Sequence, residues 1–238
     1  MRTVKPADLL FTQGFGTRRE CAALVANGCL DVEGAGVIDD FERELDVTGD
    51  FWFRVRGGPR WPFRQRALVV MNKPAGYECS QKPRHHASVY SLLPAPLRQR
   101  GVQAVGRLDE DTTGVLLFTD DGTLVHRLTS PKHHVGKVYE VTCKHAVDVG
   151  QVDRLRAGVL LHDDNETVRA AACEATGEHT LRLTLIEGKY HQVKRMVAAV
   201  GNRVEALERS AFGSVRIDGL AAGEWRWLDA DREFATQR

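Results

Sequence analysis

The chain is predicted to be an α+β protein with a mixed sheet, organised as a small unit ahead of a larger one. Apolar and alternating strand-type runs recur without the regular strand–helix alternation of a doubly wound fold. Gly57-Gly58-Pro59-Arg60-Trp61-Pro62 falls where the composition changes, and Gly and Pro at this density punctuate structure. A length of 238 residues accommodates one or two domains, and 42% apolar residues suffice for a sizeable core.

In residues 1–50, Cys21, Leu24 and Val25 repeat at helical spacing, which predicts a helix over Thr17–Asn27 with Gly28 as its stop. Arg18 and Arg19 then face away from the apolar stripe. A short strand follows at Cys29–Val32, with a turn at Gly34–Gly36. Residues 57–62 are predicted as a linker, dividing the chain into 1–60 and 61–238. Beyond it, Ala67–Met71 is a buried-type strand that Asn72-Lys73-Pro74-Ala75-Gly76 ends. Val115–Thr119 is a second strand, turned by Asp120-Asp121-Gly122 into a helix over Thr123–Leu128. Lys137–Cys143 alternates and is rich in β-branched and aromatic residues, so it is a strand. Val149–Arg156 is helical and Thr180–Ile186 is an alternating strand. Val193, Met196, Val197 and Val200 place one apolar face on a helix over Tyr190–Val200. Short strands close the series at Val204–Glu208 and Ser214–Ile217, and Asp231–Arg238 is a polar tail.

Composition removes several function classes. No run approaches the ~20 consecutive apolar residues that a membrane helix needs, and Met1–Gly14 lacks the apolar core of a secretory signal. The expected compartment is the cytoplasm. The five cysteines form no CxxC pair and are scattered, so they read as reduced structural thiols. Neither His85–His86 nor His133–His134 has an acid or cysteine at ligand spacing, so no metal is expected.

The net charge of +1 conceals a local bias. Between Phe51 and Leu108 eleven Lys and Arg residues stand against the single acid Glu78. Phe51-Trp52-Phe53 and Trp61-Pro62-Phe63 interleave with arginines there. A solvated basic surface explains such a run. So does an RNA surface, where cations meet phosphates beside rings that stack on bases.

Two segments concentrate chemistry. In Gly106-Arg107-Leu108-Asp109-Glu110-Asp111-Thr112-Thr113-Gly114, three carboxylates sit in a loop bracketed by glycines, which suits close approach to a ligand. A surface turn capped by Asp and Thr, a glycosidase pair and a magnesium site are further readings of it. In Glu187-Gly188-Lys189-Tyr190-His191-Gln192-Val193-Lys194-Arg195-Met196, Lys194 lies at the border of the apolar stripe, where it either snorkels to solvent or takes an anionic partner. If that partner is Asp109, the cation keeps the carboxylate ionised and oriented.

These two segments, with Asn72-Lys73-Pro74, Thr129-Ser130-Pro131-Lys132-His133-His134 and Lys137-Val138-Tyr139, resemble the motifs of the RsuA-like branch of pseudouridine synthases, in consistent order from Ala67 to Asp229. The resemblance implies a catalytic domain on a mixed, mainly antiparallel sheet with a central cleft, and a small N-terminal S4-like RNA-binding domain over about residues 6–47. It implies isomerisation of uridine to pseudouridine in ribosomal RNA, with Asp109 initiating cleavage of the C1′–N1 bond. Attack on the sugar, attack on the base and proton abstraction giving a glycal are all open to that carboxylate. The resemblance gives Tyr139 the role of packing against the target base and Lys194 that of pairing with Asp109. Arg107 is expected to hold the flipped nucleotide, and Lys73, His191, Gln192 and Arg195 to bind RNA. Because Asp39–Asp50 is acidic, Arg18 and Arg19 are the residues expected to bind RNA in the N-terminal domain.

No ATP or organic cofactor is implied, and the protein is expected to be a monomer. The motifs most resemble members acting on small-subunit (16S) rRNA, at a uridine of the 516 type. Two alternatives within RNA biology are a large-subunit (23S) rRNA synthase and a non-catalytic ribosome-assembly factor, for which Asp109 is dispensable. A carboxylate-dependent hydrolase, from another class, requires Glu110 or Asp111 to converge with Asp109.

Overall fold

The helix predicted from Cys21, Leu24 and Val25 runs over Arg18–Ala26. The Thr17 hydroxyl accepts a hydrogen bond from the Glu20 amide while the Glu20 carboxylate accepts one from the Thr17 amide, so each side chain satisfies the other residue's orphan donor. Gly28 follows at φ +61°, a left-handed stop. This helix lies in the first of two units of the computed structural model, which describes residues 2–161 and 165–234.

The first unit comprises the residues up to Ala67 together with Leu93–Val102. Its four-stranded antiparallel sheet has the order Gly36–Ile38, Leu30–Val32, Trp52–Val55, Trp61–Pro62. Residues 57–62 are therefore the turn and return strand of a hairpin, not a linker. Trp61 is buried and pairs with Phe53. The aromatic residues read beside a basic run build the unit's core instead. Phe53, Trp61 and Phe63 are buried, and Phe15 meets Phe53 and Trp61 edge-on at 5.5 Å. Several of the interleaved arginines are tied to their own unit. Arg60 bonds Glu33 at 2.7 Å and covers the Trp52 ring at 4.0 Å, and Arg54 donates to the Gly58 carbonyl. Arg18 and Arg19 are both exposed, and Arg18 bonds Asp8 at 2.7 Å and lies over Phe11.

A helix at Pro6–Thr12 and another at Ala95–Gln99 were not foreseen. Gly14 has φ +83°, and a Cβ there would lie 2.1 Å from the Pro96 carbonyl oxygen, so only glycine permits this approach. Arg100 holds the same segment in place, donating to Gln13 and to the Arg64 and Gln65 carbonyls.

The second unit comprises Leu68–Leu92 and the residues from Gln103 onward. Its main sheet has the order Ala172–Gly177, Thr180–Leu185, Lys137–Cys143, Val204–Phe212, Thr113–Thr119, Leu68–Lys73, Trp225–Trp227. All neighbours are antiparallel except Thr113–Thr119 beside Val204–Phe212, which are parallel. The sheet is thus mixed and mainly antiparallel. Asp121 caps the helix Gly122–Thr129 by accepting from the Thr123 and Leu124 amides. That helix buries Leu124 and Leu128 against Leu68, Val70, Val115, Leu117 and Phe212, each such side chain contributing about 1.5–3 kcal/mol. A second capping box, Asp148 with Gln151, opens the helix Val149–Ala157.

Within the predicted tail, Ala230–Glu233 forms a short helix capped by Asp229, and 235–238 lie outside the described residues. All five cysteines are free, and Cys21, Cys79, Cys143 and Cys173 are buried. Among the described residues, no helix is long and apolar enough to cross a membrane.

Candidate active site

Strand register assembles the floor of a cleft in the second unit. Lys137 and Tyr139 share one face of their strand by the two-residue period, as do Leu207 and Arg209 of the neighbouring strand. Tyr139 lies opposite both Leu183 and Arg209, and Lys137 opposite Leu185. Lys137, Tyr139, Leu185, Leu207 and Arg209 all line the cleft, and all are buried. The cleft holds about 680 Å³ of space, part of it open solvent.

The acidic loop forms one wall. It is a turn, closed by the Thr112 amide on the Asp109 carbonyl at 3.2 Å. Asp109 is held at both oxygens: Oδ2 lies 3.2 Å from Lys194 Nζ and Oδ1 lies 3.3 Å from His191 Nε2. Lys194 also meets Asp111, at 2.6 Å and 2.9 Å to its two oxygens. Burial acts to raise the Asp111 carboxyl, but the Lys194 hydrogen bond and charge outweigh it and hold it below the usual carboxylate range. Burial likewise acts to lower the Lys194 ammonium, and the two aspartates outweigh it and hold it above its ordinary value. Glu110 turns elsewhere, 3.8 Å from His86. A glycosidase pair requires one carboxyl with a raised pKa to serve as acid. Asp111, the acid sharing a cation with Asp109, is shifted the other way.

The loop is positioned from beneath by Lys73. This side chain is 0% exposed, and its ammonium donates to the carbonyls of Pro74 at 3.0 Å, Glu110 at 3.0 Å and Thr112 at 2.9 Å. Burial lowers its pKa, while the charges of Cys79 and the loop carboxylates oppose the shift. Its three protons are engaged within the protein, so the expected RNA contact is corrected to a clamp on the loop. Gln192, which lines the cleft, also holds its own segment. It is buried, and its amide bonds Glu187 Oε1 at 2.6 Å and the Lys189 amide at 2.9 Å, fixing the segment that precedes its helix. Arg195 does not line the cleft; it donates to the Tyr190 carbonyl. Arg107 is exposed at the cleft rim, and His191 lies inside it on Asp109.

Sequence reasoning missed Lys137, Thr112 and Arg209. Arg209 Nη2 and Thr112 Oγ1 are buried without hydrogen-bond partners among the described residues. The available signal was phase. Lys137 shares the alternation of Tyr139, Val141 and Cys143, and Arg209 that of Leu207 and Ala211, so a cation at each position is directed inward.

A family model described as RNA pseudouridylate synthase matches residues 67–199, more than half of the chain. The chain belongs to the RNA pseudouridylate synthase family. As a pseudouridine synthase it is an isomerase. Over 180 residues it is 44% identical to the ribosomal small subunit pseudouridine synthase A of Salmonella typhimurium, covering 75% of this chain and 74% of that one. It is 37% identical over 216 residues to the protein of the same name from Pasteurella multocida, covering 90% and 88%. A crystal structure of a pseudouridylate synthase superposes with a TM-score of 0.67 at 30% identity, covering 96% and 97%.

Two substitutions test how this synthase supports its cleft. Lys73→Met leaves three carbonyls without their buried donor and is expected to destabilise the fold by about 2–4 kcal/mol, lowering turnover more than RNA affinity. Urea unfolding with single-turnover rates checks this, and an unchanged midpoint would sink the clamp.

Lys137 behaves oppositely. Burial, with the Arg209 charge second, lowers its pKa from 10.5 to about 8, equivalent to roughly 3 kcal/mol against the charged form. Since the folded pKa lies below the unfolded one, the unfolded state binds more protons between about pH 8 and pH 10.5, and stability rises with pH across that window. Lys137→Met is expected to stabilise the protein by about 1–2 kcal/mol at pH 7, after loss of the bond to the Val135 carbonyl. The gain should shrink above pH 8 in denaturation midpoints. An equal gain at pH 7 and pH 10 would rule out relief of a buried charge.

Proposed function

We propose that the protein isomerises one uridine of small-subunit ribosomal RNA, at a site of the uridine-516 type, with Asp109 as the catalytic carboxylate. The observation that carries this reading is Asp109 itself, at a cleft walled by its loop and floored by Tyr139, with a different cation-forming side chain on each oxygen. In the reaction C1′–N1 breaks, the uracil turns, and C1′–C5 forms. C5 loses a proton and N1 gains one, so atoms balance without ATP or an external group. Asp109 starts this as a nucleophile or a base, and an ionised carboxylate suits either role. Lys194 holds the carboxylate in place from 3.2 Å, and Tyr139 offers its ring to the base. Arg107 at the rim is placed to hold the extruded nucleotide, whose unstacking costs a few kcal/mol.

The relatives named above are ribosomal small subunit enzymes, which supports 16S rRNA as the partner. We read the first unit as an S4-like RNA-binding module with exposed Arg19, and beside it Arg18, as its phosphate contacts, and the protein as a cytoplasmic monomer without a cofactor. Carbodiimide-based primer-extension mapping of small- and large-subunit rRNA treated with the protein tests the assignment. A single new stop in 16S rRNA establishes it, whereas a stop confined to 23S rRNA transfers the target and none on any substrate removes the activity.

A further inference from the structure

Tyr190 is the most exposed aromatic side chain of the second unit, at 76%. It is not loose: its ring stacks on His191 with centroids 3.8 Å apart and planes 18° from parallel. His191 in turn reaches Asp109 Oδ1 at 3.3 Å and lines the cleft. His191 adopts φ +47°, a left-handed conformation uncommon outside glycine, immediately before the helix Gln192–Ala199. The backbone is anchored on both sides of this turn. Gln192 ties Lys189 and Glu187, and Arg195 donates to the Tyr190 carbonyl. One face of the phenol ring is thus spent on the imidazole of His191, which lines the cleft, and the ring is otherwise largely open to solvent.

A flat aromatic face, rigidly backed and beside a nucleotide site, suits a nucleobase. Base–aromatic stacking is strong and tolerant of sequence, because every base has a π face. We propose that Tyr190 is a stacking subsite for the unpaired base adjoining the target uridine. The ring column base–Tyr190–His191 then ends on Asp109, so seating the neighbouring base holds His191 against the catalytic carboxylate. The proposal rests on the RNA reading given above and adds a second contact, outside the pocket, that reads base shape and not base identity.

The test uses the full chain with Tyr190→Phe, Tyr190→Leu and Tyr190→Ala variants. The probes are oligouridines carrying one 2-aminopurine on the 5′ or the 3′ side of the central uridine. Wild type and Tyr190→Phe are expected to quench the fluorophore on one side, while Leu and Ala lose the quench and about tenfold in affinity, the scale of one base–aromatic stack. On the rRNA substrate, Ala should raise KM about tenfold and change kcat much less. Equal affinity for wild type and Tyr190→Ala, or a Leu variant equal to wild type, would overturn the subsite. Quenching is read without turnover, so an inactive wild type that still quenches through Tyr190 removes the reaction and keeps the subsite.

Discussion

The Asp109→Asn protein is expected to bind its RNA as wild type does and to form no detectable pseudouridine. Asparagine keeps the shape of the side chain and can still accept from Lys194, which lies 3.2 Å from Oδ2. The lysine is not stranded, because Asp111 holds it at 2.6 Å, so little stability is at stake. What disappears is an ionised oxygen able to attack or to take a proton. Loss of such a group slows reactions by at least ~10²–10⁴-fold. Single-turnover kinetics together with filter binding separate the two quantities. Turnover within a few fold of wild type would remove Asp109 from the chemistry and pass its role to another group of the cleft. Asp111→Asn, which leaves Asp109 intact, should retain far more activity, since Asp111 is more exposed and serves Lys194.

The second large effect is structural. Gly114→Ala is expected to destabilise the synthase by about 3–5 kcal/mol and to lower its melting temperature by roughly 10 °C or more. Gly114 has φ +100°, and a Cβ there would lie 2.3 Å from the Arg209 carbonyl oxygen and 2.9 Å from the Arg209 nitrogen. The neighbouring backbone has little freedom to retreat. Gly114 pairs with Arg209 in the parallel junction and with Lys73 on its other side. Yielding there shifts the buried Arg209 and the clamp on the acidic loop together, so activity should fall with stability. Gly122→Ala is the control: nothing lies within 4 Å of its added Cβ and its φ is ordinary. At the start of a helix, alanine there should be neutral or slightly stabilising. Equal melting temperatures for the two variants would refute the close approach.

The elements read correctly from the chain have strong local signals. Lys137–Cys143 alternates with a two-residue period, and Gln192–Ala199 carries Val193, Met196 and Val197 on one face. Short strands such as Val159–Leu161, Glu166–Val168 and Trp225–Trp227 escaped, because three residues give too few periods to show a phase. The aromatic and basic run at 51–63 was ambiguous for a different reason. An arginine beside a tryptophan looks the same in sequence whether the pair faces a nucleic acid or a neighbouring strand, and here the hairpin pairing of Phe53 with Trp61 turned the rings inward. Lys73 misled, since three backbone carbonyls, two of them far along the chain, bury its charge.

By itself the sequence determined what local order and residue chemistry can specify: the α+β class, most long elements, and the ordered motifs that mark the family. Only the tertiary structure decided which groups meet. It put Asp111 beside Asp109 on one ammonium, His191 on the other oxygen, Arg209 and Lys137 with Tyr139 in the cleft lining, and Leu93–Val102 back with the first unit. The physical reason is distance along the chain. Capping and periodicity act over a few residues, whereas strand register and buried hydrogen bonds join residues dozens of positions apart, and nothing in either partner's neighbourhood records the other.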